Sequence, residues 1–287
     1  MHEHNKGILL MIVTTILFAS QDTITKHIGQ SIPVFQFVGI RYLAFLLFAL
    51  WWVTRKYSLK AVLTVKNPWL QASRGAILGI EVVAFGYIIR ELGIGEMQSI
   101  FMAYPLIVTA LSPYILGESV GWKRWAAVCF GFAGTLIIIA PGSASFTIYS
   151  LMALGLAAMI AIYTLLTRLV SRTDSTESSL FYTALFGALV TVPFIPSVWQ
   201  PLNVEQSLFI AVLCMTGITS HFFMIVALKL TPVVILQPFN YMVLPWAIFL
   251  GYLFFDEVIP LHKWYGITLV IGSGVFIAWR QRQIKGV

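Results

Sequence analysis

The chain is 287 residues long, 59% hydrophobic and only 10% charged, with a formal net charge of +7. A soluble domain usually carries about 25% charged residues, so this composition excludes a water-soluble fold. The basic residues are spread through short connections rather than gathered on one face, which excludes nucleic acid as a partner and leaves the lipid bilayer.

Ten apolar segments follow one another, at 7–27, 34–54, 69–89, 97–116, 122–141, 147–169, 178–198, 206–228, 233–254 and 262–279. A bilayer core about 30 Å thick takes about twenty helical residues to cross. A helix satisfies its backbone within the segment. A barrel would show alternating runs of about ten residues, and continuous stretches such as Cys129–Ala140 do not alternate. The prediction is an all-α membrane protein of ten transmembrane helices. The first segment follows Met-His-Glu-His-Asn-Lys with no small-residue cleavage site, and reads as a retained helix. His2 and His4 read as a polar tail rather than a metal site. Cys129 and Cys214 lie inside apolar segments and read as packing residues. No metal and no cofactor are expected.

Loop charge sets the orientation. With the N-terminus cytoplasmic, thirteen Lys and Arg fall on the cytoplasmic side. Only Lys26, Arg90 and Lys263 fall on the other, and Arg41 and Arg74 lie within segments. Both termini are predicted to be cytoplasmic, in the inner (plasma) membrane, which requires an even number of crossings.

The chain repeats itself. Gly117-Glu118 followed by Lys123-Arg124-Trp125 matches Asp256-Glu257 followed by His262-Lys263-Trp264 at a constant offset of 139. Segments four and nine carry internal prolines, Pro105 and Pro113 against Pro238 and Pro245, and Pro238 is expected to kink segment nine. Segments one and six end alike, in Thr25-Lys26 and Thr167-Arg168. Five crossings per half invert the second half relative to the first, an architecture recurrent among secondary transporters, with the substrate site near the midplane. The expected division is 1–143 and 144–287.

The pattern Ala103-Tyr104-Pro105, Leu116-Gly117-Glu118, Gly131 and Gly134, with Pro245, Phe255-Asp256-Glu257 and Gly272, resembles the EamA repeat of the drug/metabolite transporter superfamily. The resemblance covers about residues 7–280. It implies two five-helix repeats around a central cavity that opens to each side in turn. It also implies transport of small metabolites, and a last helix in each half that faces away from the cavity toward a second subunit, making a homodimer. The second half departs from the pattern, having Val243-Leu244 where the first has Tyr104-Pro105.

A charged side chain near the bilayer centre costs roughly 2.5–3.5 kcal/mol on insertion scales. Asp22, Arg41 and Glu81 stand out on that ground. At 1.5 Å per residue they share one depth to within about 5 Å. They can form one ionic cluster, in which Arg41 either binds a substrate carboxylate or neutralises an acid to hold three helices together. The acid in excess makes proton coupling a further reading. A second set is polar and aromatic: Gln98 and Tyr104 in segment four, Tyr163 in segment six, His221 in segment eight, and Gln237, Asn240 and Tyr241 on one face of segment nine. Trp246 lies inside segment nine, whereas the other tryptophans sit near segment ends as an interfacial belt. The candidate substrate-binding residues are therefore Asp22, Arg41, Glu81, Gln98, Tyr104, Tyr163, Gln237, Asn240, Tyr241 and Trp246. Glu118 and Glu257 read as caps of the helices that follow them.

No Gly-x-x-x-x-Gly-Lys-Ser/Thr, His-Glu-x-x-His or Gly-x-Ser-x-Gly pattern is present, which argues against ATP hydrolysis by that route and against an intramembrane enzyme. The expected function is secondary active transport of a small amphipathic metabolite, such as an amino acid or analogue, by alternating access. Export is the commoner role among relatives. Uptake of a vitamin such as riboflavin is the alternative, and a non-transporting membrane partner protein is the reading of another class.

Overall fold

A computed structural model of the protein describes residues 2–56, 59–117, 120–142 and 146–285, without the side chains of 2–4, 56, 59, 61, 234, 237, 238, 278 and 281–285. Every regular element among the described residues is helical. The helices are α1 (His2–Gly29), α2 (Val34–Lys56), α3 (Leu59–Leu63), α4 (Pro68–Glu91), α5 (Ile94–Phe101), α6 (Tyr104–Leu116) and α7 (Trp122–Ile139). They continue with α8 (Ile148–Val170), α9 (Thr176–Thr191), α10 (Ile195–Val198), α11 (Val204–Leu230), α12 (Val233–Asn240), α13 (Val243–Phe255) and α14 (Leu261–Lys285). Among the described residues eight stretches are long and apolar enough to cross a bilayer, the last of them Val204–Leu230, and α13 is a shorter apolar helix. The protein is thus a multi-pass, all-helical membrane protein. Helices α12 with α13, and α14, stand where the ninth and tenth segments were read.

Two segments read as continuous are broken. The fourth divides at Met102–Ala103 into α5 and α6, because Pro105 is in the first turn of α6 and has no amide hydrogen to continue the helix of α5. The ninth divides at Tyr241–Met242, ahead of Pro245 and not at Pro238, where the sequence suggested a kink. Helices α6 and α13 then end in the same way. Gly117 closes α6 at φ 69° and Asp256 closes α13 at φ 54°, both left-handed. These positions are 139 residues apart, so the sequence repeat is also a repeat of backbone conformation. Glycine adopts that conformation freely, whereas aspartate accepts a modest strain.

Packing follows the same correspondence. Helix α1 lies on α11 and α13, as α8 lies on α4 and α6. Helices α7 and α14 pack against each other over most of their length. Close approach there depends on glycine, since a Cβ at Gly134 would stand 2.7 Å from the Gly266 carbonyl oxygen.

Candidate functional site

One cavity opens between the halves of the bundle, and both helix breaks reach it. Phe101, Met102 and Tyr104 line it from the α5–α6 break, and Asn240 and Val243 from the α12–α13 break. Irregular backbone within a membrane is tolerated where it is buried in protein or lines a cavity. Helix α1 contributes Thr15, Phe18, Asp22 and Thr25, which recur on one helical face. Helix α4 contributes Leu78, Glu81, Val82 and Phe85 in the same way. Arg41 enters from α2, and His221 and Met224 enter from α11.

Six of the ten candidate residues therefore line the same cavity: Asp22, Arg41, Glu81, Gln98, Tyr104 and Asn240. The Gln98 amide donates to Asp22 Oδ2 at 2.5 Å. Arg41 is within electrostatic reach of both Asp22 and Glu81. Among the described residues, however, neither Arg41 nor the buried Glu81 makes a hydrogen bond or an ion pair within 4.0 Å. Gln21, beside Asp22, donates to Ser220 Oγ at 3.1 Å and ties α1 to α11. The carbonyl oxygens of Gln21 and Gln98 and the Nδ1 of His221 are buried with no hydrogen-bond partner among the described residues. A buried acceptor left without a donor costs about 1–3 kcal/mol. The cavity is thus short of donors at its amides and short of partners at its charges.

The remaining candidates stand elsewhere. Tyr163 is fully buried behind the cavity, with its ring edge-on to His221 at 6.4 Å and the Arg74 guanidinium 5.7 Å from its centroid. Tyr241 turns away toward α14, where Gly274 leaves the space its ring fills. Trp246 is 39% exposed on the outside of α13, against Phe249, so it is not in position to stack on a ligand in this cavity. The side chain of Gln237 lies outside the described residues. His221 is surrounded by the rings of Phe18, Phe45 and Tyr163, so its contacts are aromatic.

Arg74 contrasts with Arg41. It is fully buried, and its guanidinium donates to Gln71 Oε1 at 2.9 Å, to Thr167 Oγ1 at 3.1 Å and to the Ser179 carbonyl. Gln71 in turn donates to Asp174 at 2.8 Å. These bonds fasten the start of α4 to α8 and α9. The other end of α4 is fastened by charge. Lys26 pairs with Glu257 and donates to the Leu92 carbonyl at 3.3 Å, and Lys263 pairs with Glu96 at 2.6 Å. Glu257 does not cap the helix that follows it. Its carboxylate faces the start of α5, accepting from Gly95 N at 3.4 Å, because Gly93 and Gly251 leave room for it there. Glu118 lies outside the described residues. Among the described residues no group of three or more His, Cys, Asp or Glu is placed to hold a metal ion.

The comparisons with known proteins agree with this architecture. A solved crystal structure superposes over 98% of this chain and 99% of its own with a TM-score of 0.71, and at 17% identity it shows the fold alone. The S-adenosylmethionine uptake transporter of Rickettsia prowazekii is 23% identical over 278 residues, 96% of this chain and 94% of that protein. The riboflavin transporter of Vibrio cholerae is 29% identical over 217 residues, 73% of this chain and 71% of that protein. The EamA-like transporter family matches residues 5–140 and again 147–279. The chain is therefore a transporter, and it belongs to the EamA-like transporter family.

Proposed function

We propose that the protein is a secondary transporter with ten crossings in two inverted halves, 1–143 and 144–287, and with both termini cytoplasmic. It carries a small amphipathic zwitterion, an amino acid or analogue, by alternating access. The observation that carries the reading is the cavity's charge: one arginine without a hydrogen bond or ion pair among the described residues stands among two carboxylates, beside Phe18, Phe85, Phe101, Met102 and Met224. Arginine presents a planar fork that matches a carboxylate in two parallel bonds. Asp22 and Glu81 accept cationic groups, and aromatic faces and thioethers suit a planar body and a sulfur centre. S-adenosylmethionine has one carboxylate, an ammonium, a sulfonium and a purine, which complements this set group for group. It is the leading substrate. Uptake is the leading direction, since the S-adenosylmethionine relatives, matched over 96% of this chain, are named for uptake, ahead of the export expected from the family at large. Riboflavin, the second reading, has neither carboxylate nor ammonium and would leave Arg41 without an anion.

The test is counterflow in proteoliposomes of labelled S-adenosylmethionine and, separately, riboflavin, with and without an imposed pH gradient. Saturable S-adenosylmethionine flux that falls in Arg41→Met is the expected result. Riboflavin flux alone, or no flux of either from folded protein, overturns the reading.

A further inference from the structure

Helix α11 contains a glycine that local structure does not ask for. Gly217 lies in the interior of a 27-residue helix, where glycine is less favourable than alanine by about 0.8–1 kcal/mol. Such a residue needs a packing reason, and the reason is Arg41. A Cβ built on Gly217 would stand 2.5 Å from Arg41 Nε and 3.1 Å from both Cζ and Nη2. The guanidinium thus rests across the bare backbone of α11, and among the described residues no hydrogen bond or ion pair holds it. The same face of α11 carries Ser220, which accepts from Gln21, and His221 and Met224, which line the cavity. Helix α11 is therefore a cavity wall with a notch in it, and the notch is filled by the one guanidinium on that wall.

We propose that Gly217 is a specificity-determining residue of this cavity: its missing side chain is the seat that sets Arg41 where the guanidinium meets a substrate carboxylate. The inference rests on the reading of Arg41 as the carboxylate anchor. A guanidinium seated against a helix keeps its donor fork in place for two parallel bonds, and a shift of about 1 Å degrades them. A methyl group in the seat lifts the guanidinium out of it. The fold tolerates this, because the displaced atoms are the far end of a flexible side chain. Only the carboxylate contact is lost.

Two probes that differ in that one group make the test: S-adenosylmethionine and its decarboxylated analogue, which keeps the sulfonium and purine. Binding of each to the purified full-length protein is measured by titration, for wild type, Gly217→Ala, Gly217→Val and Arg41→Met. The expected result is a tenfold or greater loss for S-adenosylmethionine in both Gly217 variants, with unchanged affinity for the analogue and unchanged melting temperature in Gly217→Ala. If Arg41→Met loses the discrimination and both Gly217 variants keep it, Gly217 is not the determinant and the reading of Arg41 stands. If Arg41→Met binds both probes as wild type does, or if wild type binds neither, the reading of Arg41 falls and takes the inference with it. A Gly217→Ala protein that fails to fold also overturns the inference, since an arginine tip yields to a methyl group.

Discussion

The two arginines within the bundle should respond oppositely to the same substitution. Arg74→Met removes three donated bonds from a fully buried site. The Ser179 carbonyl keeps a second donor in Thr183 Oγ1 at 2.7 Å, and the Thr167 hydroxyl keeps its own bond to the Tyr163 carbonyl at 2.7 Å. Gln71 Oε1 is left stranded. One stranded acceptor and two weakened ones amount to a loss of about 2–4 kcal/mol. Arg41→Met removes no hydrogen bond or ion pair among the described residues, so its stability should stay within about 1 kcal/mol of wild type. Under the proposed function it removes a charged hydrogen bond to substrate, worth about 1.5–3 kcal/mol, or a ten- to hundred-fold loss of affinity. Thermal unfolding in detergent reads the first quantity, and proteoliposome flux normalised to folded protein reads the second. The reasoning is refuted if Arg41→Met lowers the melting temperature as far as Arg74→Met does, or if it transports S-adenosylmethionine like wild type. In the first case the double variant Arg41→Met, Asp22→Leu should recover stability, which would make the cluster a structural ion pair.

Helix packing and the placement of single aromatic residues give further tests. Gly134→Ala should destabilise by about 1–3 kcal/mol, because the new methyl meets the Gly266 backbone, which cannot step aside. Gly272→Ala meets nothing within 4 Å and should be neutral or slightly stabilising, so equal melting temperatures for the two would count against the α7–α14 interface described here. Trp246→Ala should leave the KM of transport unchanged, since the ring is outside the cavity, whereas Phe101→Ala should raise it; a KM shift from Trp246→Ala alone would place the path elsewhere. Lys26→Met and Glu257→Gln should each cost about 1–2 kcal/mol, and the double variant less than their sum. Strict additivity in that thermodynamic cycle would show that the pair contributes nothing.

The fold was legible where the bilayer makes sequence speak plainly. Runs of about twenty apolar residues marked the helices, and the offset of 139 reappeared as the matched left-handed ends at Gly117 and Asp256. The helix breaks were half legible. Internal prolines were visible in both segments, but the breaks fall at Met102–Ala103 and Tyr241–Met242, the second ahead of Pro245 rather than at Pro238, where the kink was expected. The charged part of the cavity could be read because Asp22, Arg41 and Glu81 are costly to bury anywhere else. Its apolar part could not. Phe18, Phe85 and Met224 have the same composition as residues that face lipid, because hydrocarbon and cavity wall are equally apolar. Trp246 misled for the same reason, being equally at home against lipid. One signal went unused. On α1 the positions 15, 18, 22 and 25, and on α4 the positions 78, 81, 82 and 85, follow helical spacing through each charged residue. Extending a stripe through Asp22 and Glu81 would have found them.

Helix α4 measures how polar groups are distributed through the molecule. Arg74 near its start and Leu92 at its end are about 27 Å apart at 1.5 Å per residue, nearly the thickness of a bilayer core. At both ends the buried donors are answered, and answered across the two halves of the chain: Arg74 by Thr167 and Ser179, Lys26 by Glu257, Lys263 by Glu96. Between them, at Glu81, the pattern reverses. A guanidinium, a carboxylate and two amide oxygens share one cavity without settling one another's demands. A protein that can satisfy a buried arginine as fully as it satisfies Arg74 has not left Arg41 unpaired for want of acceptors, since Asp22 is close enough to feel its charge. Under the proposed function, the partner that Arg41 lacks among the described residues is the substrate. Under the proposed alternation, the inter-half contacts at the two ends are the ones that must part in turn to let it in and out. An arriving carboxylate and ammonium would bring to the middle of the molecule the partners that each end already has.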